Sequence, residues 1–196
     1  MNEINFNHMA EESTGSKTLP VGPQISDVNI DSCTWEKGQG HSSEWCAMDF
    51  TYSKNGNTLR DRMFIPNKET TRPRPFIEND TQENAYVAKS SIFNKQLTFI
   101  AKALNCEDEF LGCTTYEQAC EVFNNNRKNN TVWLKTTKNK DGYVECCRGN
   151  SAMNFIQCST EPCELKYSTD QQTKLDQVNS RSMTTGINQA ELANQY

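Results

Sequence analysis

The chain has 196 residues, net charge -5, a hydrophobic fraction of 35% and a mean hydropathy of -0.81. That length suits one domain with a real core plus polar ends. No apolar run approaches the roughly 20 residues of a membrane span, and the first twenty residues lack the basic and apolar regions of a secretory signal. The expectation is therefore a cytoplasmic protein, without a membrane partner.

Residues 1–23 are polar and close on Pro-Val-Gly-Pro, which reads as a disordered arm. A strand is expected over 25–36, where Val28 and Ile30 alternate with polar residues, and "GQGHSS" at 38–43 reads as a loop. Over 44–53 the alternation is strong, with Cys46, Met48, Phe50 and Tyr52 on one face. An Asn-Gly turn then leads to a return strand over 59–66. Leu59, Met63 and Ile65 share one of its faces; Arg60, Arg62 and Phe64 share the other.

A Pro-interrupted polar loop (67–84) carries Arg72 and Arg74. Helical spacing begins at 90–104, where Phe93, Leu97, Ile100 and Leu104 form one stripe behind a capping Ser. A second short helix is expected from a Thr-x-x-Glu capping box at Thr114, with Tyr116, Ala119, Cys120 and Phe123 inward. Two further strands, 131–137 and 142–148, flank an Asp-Gly turn, and 153–159 and 164–168 are candidate short strands. The stretch 169–196 reads as a flexible polar tail. Three strands, a helical connection and two strands is the order of an OB-fold. The expected class is thus mainly β with a helical insertion (α+β): a five-stranded Greek-key barrel over 24–168, with one or two helices between strands three and four. An α+β sheet with two helices on one face fits the same periodicity.

Nine cysteines, an odd number, in a chain without a secretory signal are expected to be reduced, small core residues. The sequons at Asn79 and Asn129 then carry no function. Cys146, Cys147, Cys158 and Cys163 contain no Cys-x-x-Cys pair, and neighbouring strand cysteines point to opposite faces, so neither zinc nor any other cofactor is expected. Catalysis has little support. The two histidines, His8 and His41, fall in the arm and a loop, no phosphate-binding or nucleophile motif occurs, and Glu107-Asp108-Glu109 reads as a solvated turn.

Charge, however, is unevenly placed. Between Lys54 and Pro75 lie six basic residues against two acids, and the same ratio recurs from Arg127 to Arg148. Such asymmetry steers a polyanion to one face. Alternation puts Val132 and Leu134 inward and Trp133 and Lys135 outward, with Lys138 and Lys140 in the following turn and Tyr143 and Arg148 on the partner strand. Cations interleaved with rings on outward strand faces suit single-stranded nucleic acid, whose phosphates take the cations and whose bases stack on the rings.

The succession "SKNGNTLRDRMFIPN", "FNKQLTFIAKALNC", "TYEQACEVF" and "VWLKTTKNKDGYVEC" resembles phage-encoded single-stranded DNA-binding proteins of OB-fold type, over residues 25–168. The resemblance implies that the hairpin strands bind DNA, through Arg60, Arg62, Trp133, Lys135, Lys138, Lys140 and Tyr143. Phe64 and Arg148 join that set from the face analysis above. It further implies protection of exposed single strands during replication and recombination, with replication proteins as further partners. Such proteins often end in an acidic, aromatic-tipped tail. Here the end is "NSRSMTTGINQAELANQY", nearly neutral with a terminal Tyr196. An RNA ligand would use the same platform. A protein-interaction or virion-associated module, with the rings as interface anchors, is the alternative.

Overall fold

The computed structural model describes residues 17–40, 43–148 and 153–193, with the backbone alone at 129 and 182–193. The first sixteen residues of the expected arm, including His8, lie outside the described residues, as does His41. The described part is an α+β arrangement. Strands β1 (Gly22–Gln39), β2 (Glu44–Lys54) and β3 (Asn57–Phe64) form an antiparallel meander. Helices α1 (Gln82–Ala103), α2 (Glu107–Leu111) and α3 (Tyr116–Asn126) follow. Then come β4 (Thr131–Lys138), β5 (Val144–Cys146), β6 (Ile156–Cys158) and α4 (Thr169–Ala193). The sheet order is β3-β2-β1-β4-β5, with β6 also pairing β4; the ladders between these strands are antiparallel, and an isolated parallel bridge joins Thr18 to Thr58.

Register shifts along β1 explain how one strand serves two neighbours. Its pairing slips between Gly22 and Ile25, between Ile25 and Val28, and again between Ile30 and Ser32, and Asp27 sits at φ +50°. Bulges of this kind bend a strand and sharpen its twist. The first half of β1 therefore lies along β4 and the second half along β2. The sheet curls until Arg148, just past β5, reaches Asp61 on β3 at 2.7 Å. No ladder joins β3 to β5 among the described residues, so the sheet is open and the closed five-stranded barrel expected from the sequence is not what is observed.

The concave side holds the core. Met48, Phe50 and Tyr52 of β2, Leu59 and Met63 of β3, and Val132 and Leu134 of β4 pack with Phe93, Leu97 and Ile100 of α1 and Phe123 of α3. The Asn-Gly turn behaves as its chemistry dictates. Asn55 and Gly56 sit at φ +52° and +78°, the paired positive values that a two-residue hairpin turn of the primed type demands. In the second hairpin Gly142 takes φ +87°, while the Asn139 side chain accepts from the amides of Asp141 and Tyr143.

Three helices, not one or two, separate β3 from β4, because Glu107, Asp108 and Glu109, expected as a solvated turn, form the first turn of α2. Four further expectations about elements change. The segment 17–23 is tied down: Leu19 is buried in the core and the Thr58 amide donates to the Lys17 carbonyl. Helix α1 starts at Gln82, behind Thr81 whose side chain caps the Asn84 amide, about two turns before the expected start at 90. The capping box of α3 is shifted by one residue, with Thr115 and Gln118 as its members. The fourth change is the largest. Thr169–Ala193, read as a tail, is helix α4, and 164–168 is not a strand. Ser168 and Gln171 cap α4 reciprocally, side chain to amide in both directions.

Candidate nucleic-acid interface

The sequence points to two cationic hairpins, and the fold treats them differently. On the outer face of the first, Asp49 of β2 lies directly opposite Arg62 of β3. Its carboxylate accepts from Arg62 Nε at 2.8 Å, Arg62 Nη2 at 2.6 Å and Arg60 Nη2 at 2.7 Å. Glu36 of β1 takes a second bond from Arg62 at 2.6 Å and one from Arg60 at 3.4 Å. The hydrogen bonds from Arg62, then those from Arg60, hold the Asp49 carboxyl below the ordinary range although its burial opposes them. Arg62 also lies 5.0 Å over the Trp45 ring, and Phe64 meets Trp45 edge-on at 5.8 Å. Two cations and two carboxylates cancel on this face. Its charge is spent internally, and what remains is a pair of half-covered rings. Asp49 and Glu36 were not identified from sequence as partners. Counting outward from the Asn-Gly turn places Asp49 across from Arg62, so the signal was present in the hairpin register.

The second hairpin splits. Lys135 was expected to face outward, and this is overturned: it is 1% exposed, beneath the start of α4. Its Nζ lies 3.3 Å from the Lys166 carbonyl and 3.4 Å from Gln171 Oε1. Burial favours the neutral amine and lowers its pKa. Trp133 is half-buried, donating through Nε1 to the Glu161 carbonyl at 3.2 Å, so the segment after β6 covers part of the ring. Lys140 and Tyr143 are exposed at the hairpin tip, Tyr143 by 73%. Lys138 is half-buried and donates to Asn179 Oδ1 of α4 at 3.1 Å. Arg148 is paired with Asp61, whose carboxyl is raised by burial against the opposing pull of that arginine.

Between this hairpin and α4 runs a groove of about 510 Å³. Lys138, Lys140 and Arg148 line it from the hairpin side, Lys174 and Arg181 from the helix, with Glu145 as its only carboxylate among the described residues. The structure thus brings three of the nine sequence-derived residues together and adds two that sequence reasoning missed. Lys174 and Arg181 stand seven residues apart on α4, two helical turns, which is why both reach one groove. The readable signal was the Ser168-x-x-Gln171 capping box, which announces a helix where composition suggested a tail.

Gln96 of α1 lines this groove and also a second concavity, about 660 Å³, that contains Phe64, Arg74 and Lys89. The two hairpins are therefore neighbours around the same helix, although they contribute unequally. No group of three His, Cys, Asp or Glu among the described residues is placed to hold a metal ion, and Cys33, Cys106, Cys120, Cys146, Cys147 and Cys158 are buried free thiols. No helix among the described residues is long and apolar enough to cross a membrane. Compared with known proteins, the chain matches no family, no curated protein and no solved structure.

Proposed function

We propose that the protein binds single-stranded DNA, largely without sequence preference, in the groove between the β4–β5 hairpin and α4. The observation that carries this reading is the charge of that groove: five cations to one carboxylate, in a chain whose net charge is -5. A concave strip of one sign on a molecule of the other focuses field lines toward a polyanion. Phosphates would contact Lys140, Lys174, Arg181 and Lys138, and bases would stack on Tyr143, exposed at the hairpin tip, each stack worth about 1–3 kcal/mol. Arg60, Arg62 and Lys135, engaged or buried, contribute little in this reading.

Two features support an OB-like origin of the sheet. Its order β3-β2-β1-β4-β5, with helices between β3 and β4, is that of the five-stranded Greek-key barrel, and the Arg148–Asp61 pair brings together the two edges that such a barrel joins. A role in shielding exposed single strands during phage replication and recombination, in the host cytoplasm, follows from the resemblance described above. A second reading, a protein-interaction module, is favoured by one observation: the neutralised Trp45–Phe64–Arg62 face suits an interface anchor better than a phosphate.

Fluorescence polarisation of a labelled oligo-dT of about 30 nucleotides, with the annealed duplex as control, decides between them. Preference for the single strand, weakening with salt and lost on combining Lys140→Ala with Lys174→Ala, is the expected result. Absence of binding at low salt would sink the DNA reading and leave the interaction module.

A further inference from the structure

Cys33 of β1 and Cys120 of α3 meet inside the core. Their sulfurs lie 3.3 Å apart, the Cys33 thiol donating to Cys120, although the two stand 87 positions apart in sequence. Both are free thiols, Cys33 at 1% and Cys120 at 6% exposure. Cys106, Cys113 and Cys158 also hold their sulfurs in hydrogen bonds, but against oxygen or nitrogen.

The backbones on either side of this contact are already fixed to one another. Cys33 pairs with Phe50 of β2 beyond the point where β1 parts from β4, which leaves one edge of its peptide open. Asn124, one helical turn past Cys120 and on the same face of α3, fills that edge. Its Oδ1 accepts the Cys33 amide at 2.9 Å and its Nδ2 donates to the Cys33 carbonyl at 2.6 Å. Arg127 extends the clamp, donating to Asn124 Oδ1 at 3.1 Å and to the Ile30 carbonyl at 3.3 Å. Bonded sulfurs stand about 2.05 Å apart, so closure asks for a shift of about 1 Å, the scale of a small side-chain rotation. The thiol–thiol hydrogen bond also divides the roles. Accepting it lowers the Cys120 pKa against the pull of burial, while donating it, together with burial, raises Cys33. Cys120 is therefore the sulfur that ionises first, and the thiolate is the form that attacks an oxidant.

We propose that Cys33 and Cys120 form a latent disulfide, closed by a peroxide, which staples α3 to β1. A peroxide suits the site because Cys120 leaves a small opening and the oxidant has two heavy atoms. The Cys120 thiolate attacks one oxygen of hydrogen peroxide; the O–O bond breaks, and the departing hydroxide takes up the proton Cys120 released. Cys33 then attacks the sulfur of the resulting sulfenic acid. The S–S bond forms, the S–O bond breaks, and the leaving hydroxide joins the Cys33 proton. Two thiols and one peroxide become one disulfide and two waters, the sulfurs giving up two electrons and the peroxide accepting them. A dithiol reverses the bond by exchange. The closed loop would contain β2, β3, α1 and α2. Neither sulfur lines the groove between the β4–β5 hairpin and α4, so the staple stands independently of the DNA reading.

The test treats the folded full chain with a few equivalents of hydrogen peroxide and blocks the remaining thiols. Unreduced peptides are then mapped by mass spectrometry after trypsin and a glutamyl endoprotease, which together separate Cys120 from Cys106 and Cys113. The expected result is a Cys33–Cys120 peptide pair and the loss of two of the nine thiols. The thermal midpoint should rise by roughly 10 °C, as closing a loop of this length implies, and return on adding dithiothreitol. Cys33→Ala and Cys120→Ala, checked for folding by circular dichroism, should each lose both the cross-link and the peroxide-induced rise. Peroxide that leaves all nine thiols reactive, pairs either sulfur with a different cysteine, or carries Cys120 to sulfinic acid without a cross-link would overturn the proposal. So would a midpoint that fails to rise when the cross-link is present. If either variant does not fold, the wild-type peptide map and midpoint decide.

Discussion

Asp49 and Lys135 are charged residues on the sheet, both almost wholly removed from solvent, and they have opposite fortunes. Lys135 finds two oxygens at the long edge of hydrogen bonding, whereas Asp49 is gripped by two guanidiniums. The stability of the first hairpin should therefore depend on the Asp49 charge. A carboxylate whose folded pKa lies below its unfolded value of about 3.9 stabilises the fold above that value. That contribution disappears as pH falls through the folded pKa. Asp49→Asn should cost about 1.5–3 kcal/mol at pH 7, the range for hydrogen bonds to charged groups. The difference from wild type should shrink below about pH 4, where the native carboxyl also loses its charge. Urea unfolding of both proteins at pH 7 and pH 3 measures it. A cost that does not change with pH would mean that the arginines recognise Asp49 by shape rather than by charge.

At the scale of elements, legibility followed the source of each signal. Both hairpins could be read, because Asn-Gly and Asp-Gly supply the left-handed backbone their turns require and the alternation around them fixes the faces. The buried stripe Phe93, Leu97 and Ile100 could be read for the same kind of reason. The first two turns of α1 could not, since of its first eight residues only Ala85 is buried and the apolar period is missing. Lys135 was misjudged because its cover, α4, was itself unrecognised: alternation reports which face points away from the core, not whether another element lies on that face. The groove inherited that omission, with Lys138, Lys140 and Arg148 legible and Lys174 and Arg181 hidden. The same scarcity of apolar residues in α4 has a thermodynamic side. Leu175 is its buried apolar residue among those described, supplemented by the Lys138–Asn179 and Lys135–Gln171 bonds. The helix should therefore open locally, well below the free energy of global unfolding. Leu175→Asp should speed amide exchange across α4 while moving the global urea midpoint by no more than about 0.5 kcal/mol equivalent. Equal protection loss in β2 and α4 would show instead that α4 is part of the cooperative core.

For the molecule as a whole, the question is how a chain with five more acids than bases would hold a polyanion, and salt dependence answers it quantitatively. Each phosphate neutralised on a single strand contributes about -0.7 to the slope of log K against log salt. The groove offers five cations; Arg148 is largely buried in its pair with Asp61, and contact of phosphates with the other four is the reading to test. The slope should therefore be about -3. Had Arg60, Arg62 and Lys135 also engaged, seven contacts would steepen it to about -5. Combining Lys140→Ala with Lys174→Ala should flatten the slope by about 1.4, and Arg60→Ala or Lys135→Met should leave it unchanged, because Arg60 is neutralised by Asp49 and Glu36 and Lys135 is buried. Titrations of labelled oligo-dT at four or more salt concentrations would measure all of these. A wild-type slope near -5 that falls on Arg60→Ala would move the DNA path to the outer face of the first hairpin, and would require Asp49 and Glu36 to release their arginines when the strand arrives.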